Sequence, residues 1–155
     1  MEWISESIEK QFPNLTREVY HKTSEQDDFH NCIAYAAGDE SRWWEPPLQP
    51  GIVEPGYYWP EGAPTTITIE SLVKAYELHG FALCDSDSWE EGYEKVALFG
   101  YENNDYAHAS KLMQDGTWKS KLGNCEDIMH ETCHVLEADR PAYGKVRKFM
   151  KRSIK

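Results

Sequence analysis

Residues 106–122 read YAHASKLMQDGTWKSKL, in which two short segments rich in apolar and aromatic side chains flank Gln114-Asp115-Gly116. An Asp-Gly pair between two such segments is a strong short-range signal of a β-hairpin. The stretch therefore predicts two paired antiparallel strands, Tyr106 to Met113 and Thr117 to Leu122. His108 is expected on the first of them.

Further segments outside this hairpin have the same character. Phe81 to Cys84 and Lys95 to Tyr101 are short, aromatic or aliphatic, and bounded by acidic or Gly/Asn turns. Lys145 to Lys151 is expected to form a last edge strand. Together with the hairpin, these segments predict a meander of antiparallel strands in the second half of the chain.

Helical periodicity instead marks the first half. Trp3 to Phe12 has apolar side chains at helical spacing and ends before a proline. A second amphipathic stripe begins after Thr68, a good N-cap, and ends at Gly80. Asn124 to Leu136 is also expected to be helical. Helices followed by a run of strands indicate an α+β domain.

Composition limits the classes of function. The 155 residues are 40% hydrophobic and 13% aromatic, which is typical of one ordered domain. The 27 acidic and 16 basic side chains give a net charge of -11, which disfavours binding to nucleic acid and to anionic membranes. Four cysteines without a C-x-x-C pair predict free thiols.

The N-terminal stretch lacks the features of a targeting signal. Residues 1–12 contain Glu2, Glu6 and Glu9, where a secretory signal peptide needs basic and then apolar residues. The chain also has no apolar run near 18 residues, so no membrane span is expected. The expected location is the cytoplasm, or the exterior by a route that uses no N-terminal signal.

Cys32 is the first candidate nucleophile. It lies in Asn31 to Gly38, NCIAYAAG, where Asn31 can cap a short apolar helix and Gly38 can end it. A helix N-terminus and a neighbouring imidazole both favour the thiolate, and His108 is the best-placed histidine to act as base. The alternative is that Cys32 is an inert core residue, because cysteine is among the most buried residue types.

A cysteine that opens a helix, followed by a histidine on a strand, also resembles a known family. With Asn31-Cys32-Ile33-Ala34-Tyr35-Ala36 and the hairpin from His108-Ala109 to Gly123, the chain resembles the papain-like cysteine hydrolases, which include compact bacterial peptidoglycan-hydrolase and amidase branches. Trp118-Lys119-Ser120-Lys121-Leu122-Gly123 is similar to a segment of small bacterial proteins with a like Asn-Cys and His pair.

The resemblance implies a papain-like α+β fold over residues 1–155, with N-terminal helices packed on an antiparallel sheet of about five strands. It implies that Cys32 attacks an amide or ester carbonyl of a peptide or protein substrate and that water resolves the acyl-enzyme. His108 would act as base and then as acid. Such an enzyme needs no cofactor.

The same resemblance implies further polar groups at the site. Gln26 stands six residues before the nucleophile, where these enzymes often have an oxyanion donor. Their orienting residue comes from the strand after the histidine. If the hairpin turn has two residues, His108 lies opposite Gly123, so Asn124 is the first choice and Ser120 the second.

Residues 43–64 form a long segment with six prolines and three glycines. Such a composition breaks helices and strands and predicts a loop, and long loops often serve as lids or substrate walls. Trp43, Trp44, Tyr57 and Trp59 are therefore candidate substrate-binding residues. A loop that only packs its aromatic rings over the core would have the same composition.

His130-Glu131-Thr132-Cys133-His134 matches the H-E-x-x-H zinc-protease motif. On a helix, His130 and His134 would bind zinc and Glu131 would activate water. The usual downstream acidic ligand is missing, so a third ligand would have to be an earlier residue such as His79 or His108. A zinc metallopeptidase is the first alternative function.

A third class is a non-enzymatic acidic binding or inhibitor protein. The runs Asp85 to Glu94 and Glu102 to Asp105 could present carboxylates to a basic partner. Charge runs of this kind are more often solvated loops. An activated cysteine would distinguish the hydrolase from both alternatives.

Overall fold

The computed structural model describes residues 3–24, 30–47, 55–122 and 126–154. Three helices, a 3-10 helix and nine strands lie in these residues. In chain order they are α1 (Glu6–Glu9), β1 (Tyr20–Lys22), α2 (Cys32–Ala36), β2 (Trp43–Trp44), β3 (Tyr57–Tyr58), α3 (Ile69–Glu77), β4 (Ala82–Cys84), β5 (Tyr93–Gly100), β6 (Tyr106–Leu112), β7 (Trp118–Lys121), β8 (Asp127–His130), the 3-10 helix (Cys133–Leu136) and β9 (Lys145–Ser153). The α+β class is confirmed.

The main sheet has seven strands in the order β1-β8-β7-β6-β5-β9-β4, and neighbouring strands are antiparallel. About five strands were expected. The two additional strands are β1, which has only three residues, and β8, which lies where a helix is expected. The strand predicted at Lys145 to Lys151 is present as β9, but its predicted position at the edge of the sheet is wrong. β9 lies between β5 and β4 and pairs with both.

The predicted hairpin is present, with a different register. Lys111 lies opposite Lys119 and Leu112 opposite Trp118. The Met113 N–H donates to the Thr117 carbonyl at 2.7 Å, so the loop has three residues rather than two. Gly116 adopts a φ of 91°, which favours glycine. Since a one-residue change of register exchanges the two faces of a strand, this loop decides which side chains share a face.

The predicted helix caps are confirmed. The Asn31 side chain accepts a hydrogen bond from the Ala34 N–H, and the Thr68 side chain accepts one from the Ser71 N–H. The N-terminal helix is shorter than predicted, because α1 spans only Glu6–Glu9. The helix predicted at 124–136 is wrong over the described residues 126–136, which form β8 and the short 3-10 helix.

The core has two layers, one on each face of the sheet. The first joins α2 and α3 to the sheet through buried side chains such as Ile33, Leu72 and Leu98. The second joins the N-terminal segment and the 3-10 helix to the opposite face through Phe99 and Leu136 among others. Among the described residues, no helix is long and apolar enough to cross a membrane.

Candidate functional site

Cys32 is the first residue of α2, in the layer between α2 and the sheet. The start of the helix is fixed by Asn31, whose side chain accepts hydrogen bonds from the N–H groups of Ala34 and Trp44 at 3.1 Å each. The Asn31 amide also donates to the Trp44 carbonyl at 2.9 Å. These bonds hold the Cys32 backbone in place, and the Cys32 residue is 8% exposed.

Two opposing effects act on the Cys32 thiol. Burial is the larger and raises its pKa to about 11. Backbone N–H groups of Ala109, Ile33 and Cys32 itself, together with the positive charge of Lys121, lower the pKa but do not cancel the effect of burial. The sulfur is therefore a protonated thiol at neutral pH, so the expected lowering of its pKa by the helix N-terminus and an imidazole is not found.

Lys121 and Asp127 form a buried charged pair on the α2 side of the sheet. The two residues lie directly opposite each other on β7 and β8, and Lys121 Nζ is 3.7 Å from Asp127 Oδ1. The Lys121 side chain is fully buried. Burying two charges costs free energy, so a buried pair of this kind is weak evidence for a stabilising role.

The structure does not bring Cys32 and His108 together. Successive side chains of a strand point to opposite faces, and Ala109, the neighbour of His108, lies in the same core layer as Cys32. His108 points into the other layer, where its ring stacks on Tyr143 at a centroid distance of 4.0 Å and an angle of 3°. Burial and the nearby His130 hold the pKa of His108 well below its usual value.

His108 belongs to a buried hydrogen-bond network centred on Ser120. Ser120 Oγ lies 3.0 Å from His108 Nε2, 2.6 Å from Ser110 Oγ and 2.8 Å from His130 Nε2. Ser120, the second choice for the orienting residue, is thus in contact with His108. The first choice, Asn124, and the predicted oxyanion donor Gln26 lie outside the described residues.

The predicted aromatic wall is mostly core. Trp44 and Trp59 are 1% and 6% exposed and belong to the core layer around α2 and α3. Their indole N–H groups donate to Asp39 and to the Pro64 carbonyl. Of the four candidates, only Trp43 and Tyr57 are partly or largely exposed.

The H-E-x-x-H segment does not form the expected zinc site. His130 ends a strand, and both of its ring nitrogens make hydrogen bonds within the protein, Nε2 to Ser120 Oγ and Nδ1 to the Thr132 carbonyl at 2.8 Å. His134 lies in the 3-10 helix and its side chain is 53% exposed. The motif requires both histidines on one helical face, and no helix spans them.

The acidic run 85–94 is partly neutralised within the protein. Glu90 binds Lys151 Nζ at 3.0 Å and Glu94 binds Arg152 Nε at 3.1 Å. These contacts reduce the negative surface that a basic partner would meet. They weaken the case for an acidic binding protein.

Sequence reasoning did not single out Lys121 and Asp127. The strand Trp118–Lys121 contains two lysines, Lys119 and Lys121, and which of them is turned toward α2 depends on the hairpin register. A two-residue loop would turn Lys121 toward the face of His108. The three-residue loop turns it toward Cys32 instead.

Comparison with known proteins gives one match. A family model described as a domain of unknown function (DUF7689) matches residues 21–151, which include Cys32, His108, Lys121 and Asp127. No curated protein and no solved structure matches the chain. The chemistry of the site therefore has to be argued from the side chains themselves.

Proposed function

We propose that this chain, which belongs to the DUF7689 family of domains of unknown function, is a papain-like thiol hydrolase that cleaves an amide or ester bond. Cys32 is the nucleophile. The observation that supports the proposal is the set of groups around its sulfur: burial is the largest effect and raises the thiol pKa to about 11, and backbone N–H groups and the charge of Lys121 act in the opposite direction.

The chemistry follows from these groups. The sulfur attacks the carbonyl carbon, the bond to the leaving nitrogen or oxygen breaks, and the thiol proton ends on that leaving atom. Water then hydrolyses the thioester and restores the thiol. The backbone N–H groups at the start of α2 are suited to stabilise negative charge that develops during attack, as an oxyanion hole does.

Lys121, and not His108, is the charged group assigned to this reaction. The positive charge of Lys121 favours the thiolate of Cys32, which is the attacking form, although its effect on the thiol pKa is smaller than that of burial. Asp127 holds the ammonium in position from the next strand. His108 and its partners Ser120 and His130 are assigned to the core of the opposite layer.

The test is the rate of thiol alkylation at each cysteine, resolved by mass spectrometry over a range of pH. In the native protein, Cys32 should react slowly at neutral pH and faster as the pH approaches about 11. Cys84, which is partly exposed, serves as the reference in the same spectrum. Lys121→Met should slow Cys32 at any given pH, whereas His108→Asn should leave it unchanged.

Lys121→Met leaves Asp127 buried without its partner, so the double variant with Asp127→Asn is the matched control for folding. A panel of activated ester and amide substrates, followed by mass spectrometry of the intact protein, tests the reaction itself. An acyl group on Cys32, absent in Cys32→Ser, is expected. The proposal fails if no substrate acylates Cys32, or if Cys32→Ser hydrolyses substrate at the native rate.

A further inference from the structure

A second cluster of reactive side chains lies far from Cys32 in the fold, on the other layer of the core. Asp87 in the loop before β5, Cys133 and His134 each offer one ligand atom, and these atoms all lie within 4.8 Å of one another. Cys133 is fully buried, while Asp87 and His134 are exposed. A thiol, an imidazole and a carboxylate thus converge from two segments that are distant in the sequence.

From this convergence we propose that Asp87, Cys133 and His134 form a binding site for zinc. A thiolate, an imidazole and a carboxylate are the ligands that zinc takes in proteins, and magnesium or calcium would prefer oxygen ligands alone. The site is distinct from the H-E-x-x-H motif, because His130 is not a member. It does not depend on the proposed function of Cys32.

A fourth residue, Glu137, holds the His134 side chain in position. Glu137 Oε1 lies 3.2 Å from His134 Nδ1, which leaves Nε2 of the imidazole to face a metal. Glu137 Oε2 in turn accepts a hydrogen bond from the Val146 N–H at 2.8 Å, so β9 holds this carboxylate. Metal-binding histidines usually have their second nitrogen bound to a carboxylate in this way.

The loop that carries Asp87 is also anchored. The buried Lys95 donates to the Ser86 carbonyl at 3.2 Å, and the Ser88 N–H donates to Ser86 Oγ at 3.0 Å. Trp89 packs against the same core layer that contains Cys133. Residues on both sides of Asp87 are therefore fixed near the cysteine.

The geometry requires a small closure around the ion. Zinc bonds of about 2.0–2.3 Å place tetrahedral ligand atoms about 3.5 Å apart. The present separations, up to 4.8 Å, must shorten by about 1 Å. Asp87 and His134 are exposed and can rotate toward the buried sulfur, which loses its proton to solvent as the metal bond forms.

The test uses the full chain, stripped of metal by a chelator and titrated with Co²⁺ and then Zn²⁺. One equivalent of cobalt should bind and give the near-ultraviolet absorption of a sulfur-to-cobalt bond. Cys133→Ser should lose that absorption and Cys84→Ser, the matched control, should keep it. Asp87→Asn and His134→Gln should each weaken zinc binding at least about tenfold, and Glu137→Gln by about tenfold.

Replacing the buried Cys133 can disturb folding, so a second readout uses the native protein. In the native protein, zinc should slow the alkylation of Cys133 and leave that of Cys84 and Cys32 unchanged. Cobalt binding without a sulfur band, binding that survives in Cys133→Ser with native affinity, or absence of zinc protection at Cys133 would each overturn the proposal. Cys32→Ser should bind zinc normally, which separates this test from that of the hydrolase.

Discussion

Acid should destabilise the protein at a pH where its carboxylates are still ionised, because of His130. This side chain is 1% exposed, and burial, only partly opposed by its bond to the Thr132 carbonyl, lowers its pKa from 6.5 to about 4. As the pH falls below 6.5, the unfolded chain takes up a proton at His130 and the folded chain does not. Stability that is complete above about pH 6.5 is therefore lost as the pH falls toward 4.

The size of the effect follows from the two pKa values. Between about pH 7.5 and about pH 5, proton uptake by the unfolded state at His130 lowers the free energy of unfolding by about 2 kcal/mol. His108, whose pKa is also held below its usual value by burial, adds a loss of the same sign. Carboxylates with lowered pKa values, such as Glu9, act mainly below this window.

Urea unfolding at several pH values between about 7.5 and 5 measures how steeply the free energy of unfolding changes with pH. The His130→Gln variant should show a shallower slope than the native protein, and His21→Gln, at an exposed position on β1, should not change it. Titration of the His130 ring by NMR gives its pKa directly. A native free energy of unfolding that is constant over this range, or an imidazole that titrates near 6.5, would refute the argument.

Three further changes have defined outcomes. Ser120→Ala removes the partner shared by His108, His130 and Ser110. Chemical denaturation should show that the free energy of unfolding falls by about 2–3 kcal/mol, and that Ser110→Ala lowers it by less. Equal losses in the two variants would contradict a central role for Ser120. Thr68→Ala removes the N-cap of α3 and should lower the free energy of unfolding by about 1 kcal/mol. The control variant Thr65→Ala, at an exposed position, should leave it unchanged. Gly144→Ala should lower the melting temperature by several degrees, because its φ is 71° and a new Cβ would collide with the Gly100 carbonyl oxygen; an unchanged melting temperature would show that the backbone there adjusts freely.

Local signals in the sequence predicted individual elements well. Asn31 and Thr68 cap the helices that their positions indicate, and residues 106–122 form the expected hairpin. These features depend on a few neighbouring residues, so the local chain contains the necessary information. The prediction failed at 126–136, where a helix was expected and residues 127–130 pair with β7 and β1 as a strand. Such pairing depends on partners far away in the sequence.

In the candidate site, too, some features depend on neighbouring residues and others on distant parts of the chain. The sequence by itself determined that Cys32 opens a capped helix and that His108 lies on a strand of a hairpin. Only the tertiary structure decided which side chains meet the sulfur, because the length of one hairpin loop sets the face of each residue on β7. With three residues in that loop, Ser120 contacts His108 and Lys121 lies on the face of Cys32. The physical reason is the two-residue period of a β-strand, which makes a one-residue change of register exchange the two layers of the core.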